Sequence, residues 1–296
     1  MSLSAARNGP AGRAQPVIPA WQPGRGHVLL LVPPLLFLAI FFMWPLVRVV
    51  LRSFMVPTPG VQNYTPLLSH SLYAHVLLNT VEAAAIVTVL CLLLAYPIAY
   101  AIVCTRGVTP KLIAAVVIVS LWTSAVIRSY AWMILFQRRG VINDLLLASG
   151  VISKRIDFLP GTFAVSVGMV HIMLPFMILP LAANMQTIDR SLLRAAAVLG
   201  ANEAAAFRKV FFPLSLPGIY AGTTLVFMIS LGFFITPALL GGPNDMMAAV
   251  LIEQQANELL NWGLASALAT AFLVVVAIVY IIYLMVTRQT GRPLEA

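Results

Sequence analysis

Long apolar runs separated by short polar stretches set the plan of this chain. Residues 29–47, 83–105, 158–188, 211–244 and 259–287 carry no Asp, Glu, Lys or Arg, and residues 111–136 hold only Lys111 and Arg128. A hydrocarbon core about 30 Å thick is crossed by roughly 20 apolar residues of helix, at about 1.5 Å of rise each. Within lipid only helices or closed barrels satisfy the backbone, and runs this long are helical. The pattern predicts an all-α integral membrane protein with six transmembrane helices. Pro33, Pro34, Pro97, Pro175, Pro180 and Pro237 fall inside these runs. Each removes an intrahelical hydrogen bond and is expected to bend its helix, for packing or around a polar cavity.

Composition agrees with that reading. Of 296 residues, 61% are hydrophobic and 9% charged, against about 25% charged in soluble domains. So few charges cannot cover a water-soluble fold. The balance is basic, at +9, a sign that can mark nucleic acid or membrane binding. Beside such apolar runs it reads as membrane topology, with lipid and not nucleic acid as the partner. Lys and Arg in short loops set orientation. With both termini cytoplasmic, Arg7, Arg13, Arg25, Arg106, Lys111, Arg190, Arg194, Arg208, Lys209, Arg288 and Arg292 lie inside. Arg48, Arg52, Arg138, Arg139, Lys154 and Arg155 lie outside, so the loop 137–157 runs against the bias.

The domain plan follows. Residues 1–27, rich in Pro, Gly, Ala and Arg, read as a disordered cytoplasmic tail. Residues 28–289 form the membrane domain, and 290–296 a short cytoplasmic tail. The first apolar run exceeds the roughly 7–15 residues of a signal-peptide core and lacks a small-residue cleavage site, so it is expected to remain as a helix. Cys91 and Cys104 share one predicted helix about 20 Å apart, too far for a disulfide. Asn63-Tyr64-Thr65 matches a glycosylation triplet of the kind that arises often by chance.

A patterned polar interruption separates the fourth and fifth runs. Residues 191–199 are rich in Ala and Leu and predict a helix. Gly200 is placed to stop it as a left-handed cap, and Asn202 to cap a second helix. Phe207, Val210 and Phe211 then share one face at i, i+3 and i+4, with Arg208 and Lys209 elsewhere and Pro213 ending the helix. Such an amphipathic helix buries its face either in a protein groove or among lipid headgroups.

Arg194, Ala195, Ala196, Ala197, Val198, Leu199, Gly200 and Ala201, followed by Phe207, Val210, Pro213, Pro217 and Ile219, resemble the "EAA" loop. That loop marks the membrane subunits of binding-protein-dependent ABC importers. Residues 121–136, 140–147 and 239–252 are similar to the spermidine/putrescine-type branch of that family. The resemblance implies that the stretch 201–212 is a coupling helix docked on a separate ATPase subunit. It implies an assembly of an ABC ATPase dimer, a second homologous permease subunit and a periplasmic or extracellular solute-binding protein, in a bacterial inner membrane. ATP and Mg belong to the ATPase, and this chain binds no cofactor. Arg194 stands where the motif opens with Glu, which bears on any ion pair that Glu makes but not on the helix-turn-helix.

Other residues are candidates for the solute pathway. Glu82, at the outer start of the second span, suits a cationic solute, or is an ordinary acid near a helix N-terminus. Trp122, Tyr130 and Trp132 offer cation–π faces to an amine, or interfacial anchors. Arg128, placed about 25 Å along the helix from Lys111, snorkels at the outer interface, pairs structurally or gates the pathway. His171 makes a helix–helix hydrogen bond or a proton relay. The sequence has no phosphate-binding G-x-x-x-x-G-K-[ST], no H-E-x-x-H, no G-x-S-x-G and no paired Cys/His spacing, so no catalytic or metal residues are assigned. A stand-alone secondary transporter or channel is the rival reading; it calls for intramembrane acids or repeated halves with broken helices.

Overall fold

The computed structural model describes residues 31–290, and among them every regular element is helical. The expected tails at 1–27 and 290–296 lie outside the described residues, except Thr290, which ends the last helix. The helices are α1 Val32–Met55, α2 Thr65–Ser69, α3 Ser71–Cys104, α4 Thr109–Trp122, α5 Ala125–Leu135 and α6 Val141–Ala148. They continue with α7 Thr162–Gln186, α8 Arg190–Val198, α9 Glu203–Leu231, α10 Ile235–Leu240, α11 Ala248–Glu253 and α12 Trp262–Thr290. The chain divides into two units at Arg48 and Val49. The first contributes the apolar beginning of α1, whose described residues are none of them buried. Pro33 and Pro34 sit in the first turn of α1 instead of bending it. There a missing N–H costs nothing, because the first turn has no acceptors for those groups.

Five helices are long and apolar enough to cross a membrane, or six if the bent pair α4–α5 counts as one span. That pair corrects the single straight helix expected over 111–136. Thr123 and Ser124 adopt extended backbone between the two helices, and the axes turn by 99°. Hydroxyl side chains compete with helical hydrogen bonding, which makes such a pair a natural break. The run 211–244 is also corrected, since helix stops at Leu231 and restarts at Ile235.

In the second unit, the core lies where α3, α7 and α9 pack against one another. The α3 contribution is a stripe of small side chains, Ala84, Val87, Cys91, Ala95 and Ala99, none with exposed surface. The α7 contribution is larger and pliable: Met169, Met173, Met177, Leu181 and Met185. On α9, Gly218 and Gly222 face Asn184 and Met177, and a Cβ at either would come within 2.7 Å of those side chains. Lipid tails are as apolar as leucine, so helices associate here by close packing instead of expulsion from water, and small residues permit that approach. Hydrogen bonds add to it, between Tyr96 and Ser215 at 3.1 Å and between Ser129 and Thr236 at 2.8 Å. The starts of α3 and α7 line one cavity, which makes these helices parallel, and the pairing of Gly218 with Asn184 and Gly222 with Met177 makes α9 antiparallel to α7.

Candidate functional sites at the two ends of the bundle

At one end, the chain turns back between α8 and α9. Asp189 caps α8, its carboxylate accepting from the backbone N–H of Ser191 at 2.8 Å and from the Ser191 hydroxyl at 2.6 Å. The Ser191 hydroxyl, then its N–H, hold the Asp189 carboxyl below its ordinary value. The helix ends in a Schellman turn. The N–H of Gly200 donates to Ala197 and that of Ala201 to Ala196, both at 3.0 Å, with Gly200 at φ +85°. Asn202 then caps α9, its Oδ1 accepting from the N–H of Ala205 at 2.8 Å. The helix-turn-helix geometry read from the sequence is therefore present. Arg190 fastens it to α3 by donating to the carbonyl of Val103 at 2.6 Å.

Two features of the turn differ from expectation. Pro213 does not end the second helix. A wide π turn, Phe207–Phe211, precedes it, with the N–H of Phe212 donating to Phe207, and α9 continues through to Leu231. The wider turn takes up the bond register that the proline disrupts. The aromatic face is also covered within the chain. Phe207 stacks edge-on to Tyr96 and Tyr100 at 6.2 and 5.6 Å, and Phe211 to Tyr100 at 5.2 Å. Phe211 is buried, and Phe207 and Val210 are half-buried. What the turn leaves bare is its tip: Val198 and Leu199 are each 87% exposed. Arg194, Ala195, Gly200, Asn202, Arg208, Lys209, Pro213 and Pro217 are exposed or partly so, while Ala196 and Ala201 are less open.

At the opposite end, the starts of α3 and α7 and the loop after α10 enclose a cavity of about 240 Å³. Glu82 lines it, as do His75, Asn79, Thr162, Ser166 and Asp245. The Asn79 amide donates to the carbonyl of Asn244 at 2.8 Å, and the Thr162 hydroxyl donates to Asp245. Two carboxylates face this cavity and no Lys or Arg lines it, in a chain with 18 basic and 9 acidic residues. Sequence reasoning found Glu82 for the solute pathway and missed His75, Asn79, Thr162 and Ser166, although His75, Asn79 and Glu82 form a polar stripe at i, i+4 and i+7.

The other expected pathway residues do not gather there. Trp122 is 88% exposed beside the bend, and Tyr130 is exposed on α5. The bend also removes Arg128 from the outer interface where a straight helix put it. It is 8% exposed, with Nη1 donating to the Ser120 hydroxyl at 3.3 Å. Trp132 donates its indole N–H to Nδ1 of His171 at 3.0 Å, which makes His171 a helix–helix partner. Asn63 is 7% exposed and its amide donates to the carbonyls of Ser53 and Val56 at 2.8 and 2.6 Å, leaving it unsuited to glycosylation.

Residues 26–292 match the family described as "Binding-protein-dependent transport system inner membrane component". The chain belongs to this family of importer permeases. It is 34% identical over 265 residues to the spermidine/putrescine transport system permease protein PotB of Haemophilus influenzae, covering 90% of this chain and 91% of that one. With the PotB of Escherichia coli it shares 33% over 243 residues, 82% and 88% of the two chains. Among solved structures, a bacterial ABC transporter involved in import of the acidic polysaccharide alginate matches with a TM-score of 0.77. That match has 18% identity and covers 90% of this chain and 96% of that one, and so bears on fold. This permease is thus the multi-pass inner-membrane subunit of an ABC importer, a transport component that carries no catalysis of its own.

Proposed function

We propose that this permease forms half of the solute pathway of a polyamine importer, and that the α8–α9 turn is where an ABC ATPase grips it. Both termini and the turn lie in the cytoplasm, and six spans carry the chain across. The observation that carries this reading is the bare apolar tip, Val198 and Leu199, between two capped helices on which Arg194, Arg208 and Lys209 are exposed. The aromatic face behind the tip is anchored on α3, so a push on the tip reaches the bundle core instead of being lost in a loose loop. ATP and Mg sit on the ATPase dimer, and ATP closure moves the tip. A second, homologous permease completes the pathway, and a periplasmic solute-binding protein delivers solute at the outer end. Coupling requires that loaded binding protein and ATP closure favour the same conformation.

Substrate class follows from the outer cavity and the relatives. A wall with carboxylates and neutral hydrogen-bonding groups, free of Lys and Arg, suits an oligoamine such as spermidine or putrescine, and the PotB relatives carry those names. The test is uptake of labelled spermidine by cells carrying Leu199→Asp or Gly200→Pro permease. Both variants should insert normally, lose ATPase in detergent pull-downs and lose uptake. Retained uptake with retained ATPase rejects the turn as the grip. Normal coupling without spermidine uptake by the wild type rejects the substrate.

A further inference from the structure

Arg128 poses a charge problem that the chain does not solve. It is 8% exposed, its Nε is buried with no hydrogen-bond partner, and its one bond is to a serine hydroxyl at 3.3 Å. Guanidinium stays protonated in proteins, and a charge kept from water inside a membrane domain demands a counter-charge. Among the described residues the ion pairs are Arg138–Asp157 and Arg155–Asp144. Asp245 and Glu82 line the outer cavity, Asp189 and Glu203 sit at the turn at the far end, Glu253 ends α11 and Glu258 lies between α11 and α12.

An open apolar groove of about 590 Å³ runs between α3, α4 and α7, with Pro97, Ile113, Val116 and Pro175 in its walls, and it meets Arg128 through Ser120. Its polar wall groups are Ser120, which accepts from Arg128, and His171. Because Trp132 donates to Nδ1, a neutral His171 carries its hydrogen on Nε2 and is a donor there. The imidazole donor and the serine that accepts from Arg128 thus line one greasy groove, and Val116 in it is 71% exposed.

We propose that a helix of the second permease subunit seats in this groove and brings a carboxylate to Arg128, with the His171 Nε2–H as a second donor. The inference rests on the permease-pair reading above. The buried cation selects a carboxylate-bearing helix over a lipid acyl chain as the occupant, because acyl chains bring apolar surface and no counter-charge. Removing one partner of a buried pair is costly. Arg128→Gln should therefore cut recovery of the partner permease by about tenfold or more, while ATPase still co-purifies through the cytoplasmic turn. Arg128→Glu should be rescued by Lys at one intramembrane acid of the partner subunit. With Arg128 intact, Val116→Cys in a background lacking Cys91 and Cys104 should cross-link to the partner subunit in native membranes. Normal pairing of Arg128→Gln, or a Val116→Cys that labels from lipid and never cross-links, overturns the proposal. If wild type fails to bring down both a second permease and an ATPase, it is the permease-pair reading that fails.

Discussion

Three glycines do different work here, and substitution separates them. At Gly200 an added Cβ meets nothing within 4 Å, but the backbone sits at φ +85°. Gly200→Ala should therefore cost about 1–2 kcal/mol through conformation alone, and Gly200→Asn less, read as protease resistance of the turn. At Gly218 the Cβ meets the Cβ of Asn184 at 2.7 Å, an atom fixed to the backbone. Gly218→Ala should force α7 and α9 apart at about 1–3 kcal/mol. At Gly222 the clash is with the Met177 sulfur, near the end of a flexible side chain. Gly222→Ala should be the milder of the two, and thermal unfolding in detergent compares them directly.

At the level of elements, the turn is held by caps, and one of them titrates. The Asp189 carboxyl is held below its ordinary value by the Ser191 hydroxyl and N–H. A lowered pKa means the cap contributes fully at neutral pH and is lost as pH falls through the folded value. Protection from hydrogen exchange over 190–202, taken relative to the intrinsic rate at each pH, should hold from neutral pH down to the carboxylate range near about 4 and fall below it. Asp189→Asn should flatten that dependence. The bent pair α4–α5 shows the opposite case, an element whose hinge is two hydroxyl residues. Ser124→Ala leaves the 99° bend in place if packing of α5 on α10, through the Ser129–Thr236 bond, is what sets it. Spin-label distances across the bend measure this.

For the whole molecule, charge is distinctive in one local place, the cavity at the starts of α3 and α7, because both ends of the bundle carry basic residues. That cavity holds Glu82 and Asp245, whereas the turn at the opposite end carries Arg194, Arg208 and Lys209 beside Asp189 and Glu203. Within the cavity wall a cationic solute would meet two carboxylates and no basic side chain, while Arg138, Arg139, Lys154 and Arg155 lie in the loop leading to the same end. Glu82 is exposed and screened, so its share is modest. Glu82→Gln should raise the apparent KM for spermidine about two- to fivefold, with kcat and ATPase coupling unchanged. An equal loss from Tyr130→Gln, which lies outside the cavity, argues against the cavity as the entry point.

The sequence by itself determined the helical class, the number and length of apolar runs, and the capped turn at Gly200 and Asn202. These depend on the membrane's thickness, on intrahelical hydrogen bonding and on a left-handed glycine, all properties of neighbours along the chain. Only the tertiary structure decided where the side chains of those runs point. A helix that meets lipid on one side and protein on the other is apolar all round, so its pattern does not say which face turns inward. The burial of Phe211, the exposure of Leu199 and the inward turn of Arg128 came from packing between distant helices. The same holds for the outer cavity. Its residues come from α3, α7 and the loop after α10, more than 80 positions apart for Thr162 and Asp245, and nothing local links them.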